Sequence, residues 1–233
     1  PDVQETTSEG PRDDSEPATT IRDLPYGETE NGVSNLLDLY LPEAATGRVP
    51  VIVAIHGGGF ATGSKEMFRP KAVELVKRGY AVAAINYRLN PQHYLPSQIY
   101  DVKAAIRWLR AHAEKYNLDQ DHIGVLGGSA GATLAAIAGT SGEVEQLEGD
   151  VGDYAMHSSK VQAVVALADV YREFPFFVGC RTPGVKNWRR CALQSVTFRG
   201  ATHRVFWQSE IATRHLRVSR IIDVFTNHSE TTA

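Results

Sequence analysis

Ser129 stands at the centre of Gly127-Gly128-Ser129-Ala130-Gly131, a Gly-x-Ser-x-Gly pentapeptide. A serine hydroxyl becomes a nucleophile when a sharp turn lifts it clear of its neighbours and a base accepts its proton. Before it lies the apolar run Ile123-Gly124-Val125-Leu126, and after it the small, helix-favouring residues from about Ala130 to Ala138. Strand, turn and helix in that order form the setting in which the pentapeptide carries chemistry; elsewhere it is a tight turn and nothing more. Gly127 and Gly131 lack side chains where the strand and the helix must approach around the serine.

Acyl transfer also needs donors for the oxyanion. His56-Gly57-Gly58-Gly59-Phe60 follows the apolar run Val51 to Ile55, and its three glycines leave backbone N–H groups unshielded, so that two can meet one carbonyl oxygen. The plain alternative is a flexible turn. A phosphate loop is a further alternative, since Gly58 and Gly63 have the right separation. That pattern requires Gly-Lys-Ser/Thr, and here Gly63-Ser64-Lys65 places the lysine one position late. His56 fits a residue that holds the loop by hydrogen bonding better than a general base.

The elements that must position these residues read as alternating strands and helices. Ile21 to Glu28 and Asn35 to Leu41 form a hairpin around Glu30-Asn31-Gly32. Val51 to Ile55, Ala81 to Ile85 and Val161 to Leu167 are continuous apolar runs, as in strands buried on both faces of a parallel sheet. Phe68 to Arg78 forms a helix with Ala72, Leu75 and Val76 inward. In a longer helix Ile99, Val102, Ile106, Leu109, Ala113 and Tyr116 recur every three or four residues, with Lys103 and Arg110 mostly elsewhere on the wheel and an end near Asn117. The fold class is α/β, with a mostly parallel sheet covered on both faces.

The 233 residues suit one such domain, and no apolar run is long enough for a transmembrane helix. Two cysteines, Cys180 and Cys191, can pair or stay reduced and are too few for a cysteine-built zinc site; no metal and no cofactor are expected. Residues 1–20 are Ser, Thr, Pro, Glu and Asp with few bulky apolar side chains, the composition of a disordered leader. Pro1 opens the chain and Met67 is its first methionine, which leaves room upstream for a cleaved signal and a secreted or periplasmic location.

Charge is uneven. Residues 1–168 carry 14 Lys+Arg against 22 Asp+Glu, and residues 169–233 carry 10 against 5, nine of the ten being arginine. A nucleic-acid-binding tail is one reading of this excess, but it lacks interleaved aromatics or a known module, so no nucleic-acid partner is expected. From 170 to 205 no period of two or 3.6 is sustained; Ile211, His215, Val218, Ile222 and Phe225 allow one amphipathic helix.

Taken in order, His-Gly-Gly-Gly-Phe, Tyr87-Arg88-Leu89 with Pro91, Pro96, Asp101 and the Ser129 pentapeptide resemble the α/β-hydrolase superfamily. The chain is similar to its esterase/lipase branch, which includes hormone-sensitive-lipase-like esterases and acetyl or feruloyl esterases, over roughly Ile21 to Leu167. The resemblance implies hydrolysis of a small-molecule carboxylic ester, short-chain or polysaccharide-linked. It implies Ser129 as nucleophile, the N–H groups of Gly58, Gly59 and Ala130 around the oxyanion, and Gly57 shaping the turn. Phe60 and Tyr94 line the acyl or alcohol pocket, or else belong to the core. Ala132 stands where many relatives have glycine.

A larger departure lies beyond residue 168. Relatives continue with two more strands, a His-Gly-x-x-Asp-like segment that supplies the acid, and a later catalytic histidine; none is recognisable here. The order serine, acid, histidine is formally met by Ser129, Asp223 and His228, the last two only five residues apart. His203 and His215 are no better placed, Asp169 matches no acid of the resemblance, and His93, His112, His122 and His157 flank other elements. The expected organisation is a leader (1–20), a hydrolase core (21–168) lacking its usual C-terminal strands, and an Arg-rich segment (169–233) that is an out-of-frame or truncated reading. A non-catalytic hydrolase remnant is the alternative function.

Overall fold

A computed structural model describes residues 19–28, 34–43, 45–142, 144–167, 192–198 and 201–207, the last two stretches by backbone alone. Strands β1 (Thr19–Glu28) and β2 (Ser34–Leu41) pair antiparallel, so β1 begins two residues inside the stretch expected as leader. The chain continues through β3 (Val49–Ile55), a 3-10 turn (Lys65–Phe68), α1 (Arg69–Lys77), β4 (Ala81–Ile85), α2 (Ser97–Ala111), β5 (Leu118–Gly128) and α3 (Ala130–Thr140). A second 3-10 turn (Glu145–Leu147) leads to β6 (Ala163–Leu167), β7 (Ala192–Phe198) and β8 (Ala201–Trp207).

One sheet orders these strands β1-β2-β4-β3-β5-β6-β8-β7. Its centre, β4-β3-β5-β6, is parallel, and antiparallel hairpins flank it on both sides. The continuous apolar runs become these central strands because both faces are covered. Alternate residues of β3 enter opposite layers: Val51, Val53 and Ile55 pack with α2 and α3, whereas Ile52 and Ala54 pack with Ala72, Leu75 and Val76 of α1.

Three sequence expectations change. The long helix ends at Ala111, not near Asn117, and the chain turns through residues 112–117. Ala113 and Tyr116 keep the apolar period because they stay buried after the backbone leaves the helix, and Asn117 closes the turn at φ 55°. Lys103, placed off the apolar face by the wheel, is fully buried, because the loop between α3 and β6 covers it with Glu148 at 2.7 Å. The stretch with no sustained period holds β7 and β8, which pair with each other and, through β8, with β6. The amphipathic helix expected over Ile211 to Phe225 lies outside the described residues, as do residues 1–18.

Candidate active site

Strands β3 and β5 run parallel with Ile55 opposite Gly127, so the loops leaving both strands emerge at the same edge of the sheet. This register brings the two glycine motifs together. Ser129 is exposed, at φ 53° and ψ −120°, a backbone conformation that a residue with a Cβ adopts only under constraint. The constraint is visible on both sides. Its N–H donates to Leu167 O at the end of β6 (3.3 Å), and its carbonyl accepts from Ala132 N (2.9 Å) and Thr133 N (3.2 Å) to start α3. A Cβ on Gly127 would overlap the Gly131 carbonyl, and one on Gly131 would overlap the carbonyls of Ile55 and His56. Only glycine lets β5 turn so sharply into α3 beside β3.

Gly57 opens the neighbouring loop, and a Cβ there would stand 2.9 Å from Gly128 O and 3.3 Å from the Ser129 Cβ. The loop then closes on itself. Gly58 (φ 115°) accepts at its carbonyl from Ala61 N and Thr62 N, both at 3.0 Å, and Gly59 follows at φ 62°. Gly63 (φ 100°) returns so closely that its missing Cβ would lie 2.6 Å from both Gly57 O and His56 Nδ1. Ala130 is the first residue of α3, where N–H groups have no intrahelical acceptor. The N–H groups of Gly58, Gly59 and Ala130 thus belong to the two segments that meet beside Ser129.

The surroundings hold this edge in place. His56 is buried, stacks on Tyr87 (centroids 4.2 Å apart, planes 13° apart), and donates from Nδ1 to Gly57 O at 2.7 Å. The Tyr87 hydroxyl donates to His56 O at 2.9 Å. Burial lowers the His56 pKa below 6.5, outweighing the Gly57 hydrogen bond, so the ring is neutral at pH 7. That is the loop-holding role its position suggested. The next residue, Arg88, meets the buried Asp101 at 2.8–3.0 Å through its side chain and at 2.8 Å through its backbone N–H, tying the loop after β4 to the head of α2.

Phe60 is half-buried against the main core cluster, whereas Tyr94 is 63% exposed and so is not a core residue. Asp223, His228, His215 and Asp169 lie outside the described residues. His203 falls on β8 opposite Val196. A carboxylate–imidazole pair does exist: Asp119 and His122 meet at 2.7 Å. It sits at the start of β5, however, and at roughly 3.3 Å per residue His122 stands about 23 Å along the strand from Ser129. His112 stacks on Trp108 at 4.0 Å, and His157 follows Tyr154; both belong to the loop region beside the end of α2. Among the described residues no group of three His, Cys, Asp or Glu is arranged to hold a metal ion, and no helix is long and apolar enough to cross a membrane.

Residues 37–176, more than half of the chain, match the family model described as BD-FAE. The chain belongs to the BD-FAE family. Esterase LipQ of Mycobacterium tuberculosis is 41% identical to the BD-FAE chain over 130 residues, covering 53% of this chain and 30% of LipQ. A truncated carbohydrate esterase from gut microbiota is 32% identical with a TM-score of 0.59, over 64% of this chain and 56% of that one. Thermogutta terrifontis esterase 2, solved after phosphonylation by cyclosarin, is 33% identical with a TM-score of 0.54, over 60% and 53%. These neighbours place the BD-FAE chain in the α/β-hydrolase fold, of which it carries part. The chain spans about a third of the length of the curated relatives it matches.

Two charged clusters, one beside the glycine loop and one between α2 and the loop before β6, depend on contacts between distant residues. Lys65 reads in the sequence as a lysine one position late for a phosphate loop, yet its Nζ lies 2.7 Å from the buried Asp38. The available signal was Asp38 itself, an acid inside the apolar strand Leu36-Leu37-Asp38-Leu39. The cluster of the buried Lys103 and Arg107 with the half-buried Glu148 leaves no periodic signal.

Proposed function

We propose that this chain is the nucleophile-bearing core of a carboxylic-ester hydrolase working through an acyl-enzyme on Ser129. Ser129 Oγ attacks the ester carbonyl, its proton passing to a base, and the carbonyl oxygen becomes an oxyanion held by the N–H groups of Gly58, Gly59 and Ala130. The C–O bond to the alcohol breaks, the alcohol takes a proton, and water then releases the acid and restores the serine. The observation that carries this assignment is the strained, exposed backbone of Ser129, built where β5 turns into α3 and faced by Gly57. Asp223 and His228 are the formal candidates for acid and base. Relatives named esterase and carbohydrate esterase support an ester substrate; short-chain acyl esters, or acetyl and feruloyl groups on polysaccharides, are the substrates this reading assigns. In this reading residues 1–20, 21–168 and 169–233 are leader, hydrolase core and atypical C-terminal segment, with β1 reaching two residues back into the leader.

Turnover of p-nitrophenyl acetate by the full chain and by Ser129→Ala tests the assignment. Loss of turnover in the variant is the expected result, and equal rates in both refute it.

A second assignment, a non-catalytic or fragmentary hydrolase, is favoured by one observation: among the described residues the Asp119–His122 pair stands at the far end of β5 from Ser129. A fluorophosphonate probe separates the two. Rapid, stoichiometric labelling at Ser129 marks an activated nucleophile, and slow or absent labelling marks a site without its base.

A further inference from the structure

The loop Gly57–Ser64 is held at its beginning by His56 and Tyr87. Its end is held by a different and more heavily charged arrangement. Lys65, the residue that follows the loop, is 4% exposed. Its Nζ donates to Asp38 Oδ1 at 2.7 Å, Asp23 Oδ1 at 2.9 Å and Glu66 Oε1 at 3.0 Å. Asp38, on β2, is 1% exposed, whereas Asp23 and Glu66 reach solvent. The Lys65 backbone N–H donates to Asn86 Oδ1 at 2.8 Å, and Asn86, just past β4, donates its own N–H to Leu36 O of β2 at 2.9 Å. One residue thus ties the loop end to β2 and to the exit of β4 by side chain and main chain together.

This tie reaches the candidate site through packing. Ser64 and Gly63 lead directly from Lys65 to the point where the chain passes so near Gly57 O and His56 Nδ1 that a Cβ on Gly63 would stand 2.6 Å from each. Gly57 in turn lies where an added Cβ would stand 2.9 Å from Gly128 O and 3.3 Å from the Ser129 Cβ. Between them the turn is closed by the Ala61 and Thr62 hydrogen bonds to Gly58 O, which constrain its shape. A displacement at Lys65 therefore shifts Gly58 and Gly59 relative to Ser129, with little slack to absorb it.

We infer that Lys65 is a positioning residue: held by Asp38 and Asn86, it fixes the Gly57–Gly59 loop against Ser129 and so sets how well that loop stabilises the transition state. The role of the loop rests on the ester-hydrolase assignment above; the anchoring does not. Burial works against the ammonium, but the hydrogen bonds to Asp38, Asp23 and Glu66 outweigh it and hold the Lys65 pKa above its ordinary value. The anchor stays charged throughout the neutral range.

The test compares the full chain with Lys65→Met and with the double variant Asp38→Asn/Lys65→Met. Lys65→Met keeps the stem and strands the buried Asp38 charge, which lowers stability as well. In the double variant no buried charge is stranded, so the melting temperature returns toward that of the parent. Positioning predicts that kcat for p-nitrophenyl acetate stays lower by about tenfold or more in both variants, with KM within about twofold, because oxyanion contacts act in the transition state. It also predicts faster amide hydrogen exchange over residues 57–64 in both, with β5 unchanged. Restoration of kcat together with stability in the double variant would mean that Lys65 only compensates a charge, and overturns the inference. So does parental exchange over 57–64 in the folded double variant. If the parent itself shows no turnover, the ester-hydrolase assignment fails, and the exchange comparison still decides the anchoring. If Lys65→Met does not fold, the double variant alone supplies both readouts.

Discussion

Gly57 and Ser129 face each other across the ends of β3 and β5, close enough that a Cβ on Gly57 would stand 3.3 Å from the Ser129 Cβ and 2.9 Å from Gly128 O. The spacing is tighter than ordinary contact on the Gly128 side, where the neighbour is backbone and yields little. Gly57→Ala is therefore expected to push the loop away from the elbow by a few tenths of an ångström. Since displacements near 1 Å can cost about a hundredfold, a loss of roughly tenfold in kcat/KM is expected. Steady-state kinetics on p-nitrophenyl acetate, with a melting curve to show that the fold persists, check it. Unchanged kcat/KM would mean that the loop has room the structure does not show.

Gly131 is constrained more severely, because a Cβ there would overlap two backbone carbonyls, those of Ile55 and His56. Neither belongs to a flexible side chain, so α3 itself must move off β3. Gly131→Ala is expected to destabilise the fold by about 1–3 kcal/mol, the usual cost of overpacking. A urea denaturation midpoint measures this. An unchanged midpoint would show that α3 slides freely at its start.

The parts of the fold that could be read in the sequence are those where both chemistry and burial act on neighbouring residues. Val51 to Ile55 and Ala81 to Ile85 announce strands because every residue is buried, so no polar side chain interrupts the run. The Ser129 elbow was legible for the same local reason, as glycine is needed at fixed offsets from the serine. Residues whose roles depend on distant partners were not legible. Lys103 and Arg107 look like the solvent face of α2 until Glu148, more than 40 residues later, covers them. The end of α2 at Ala111 has no local mark, because Ala113 and Tyr116 continue the apolar rhythm after the hydrogen bonding has changed. Loop anchoring by Lys65 and Asp38 is likewise a contact across 27 residues, and the acid inside the apolar run of β2 is a local sign of it that names no partner.

His56 links the site to pH. Its pKa lies below 6.5 in the folded chain, chiefly through burial. A histidine with a depressed folded pKa contributes stability that is present above its unfolded value and lost as pH falls through the folded one. Stability is expected to decline below about pH 6.5 as the buried ring is forced to charge beside Gly57. His56→Asn places an amide N–H where Nδ1 donates but cannot titrate. Melting temperatures between about pH 7.5 and 5 should fall less in this variant than in the parent. Equal slopes would show that other histidines carry the pH dependence.

Glu148 adds a dependence of the same sign at lower pH. It accepts from Lys103 at 2.7 Å, Arg107 at 2.9 Å and the Ser159 hydroxyl at 2.7 Å, holding the loop before β6 against α2. Burial raises its pKa, but the two cations and the hydroxyl outweigh burial and bring it below 4.5. The carboxylate therefore contributes stability at and above pH 4.5, lost as pH falls through the folded value. Glu148→Gln keeps the shape and leaves the fully buried Lys103 and the nearly buried Arg107 without a counter-charge. Removing one partner of a buried pair costs about 3–5 kcal/mol, and the exposed part of Glu148 argues for the lower end of that range. Urea midpoints at neutral pH should show this loss, and the gap between parent and variant should close as both are taken below pH 4.5. A gap that persists at low pH would assign the effect to packing and not to charge.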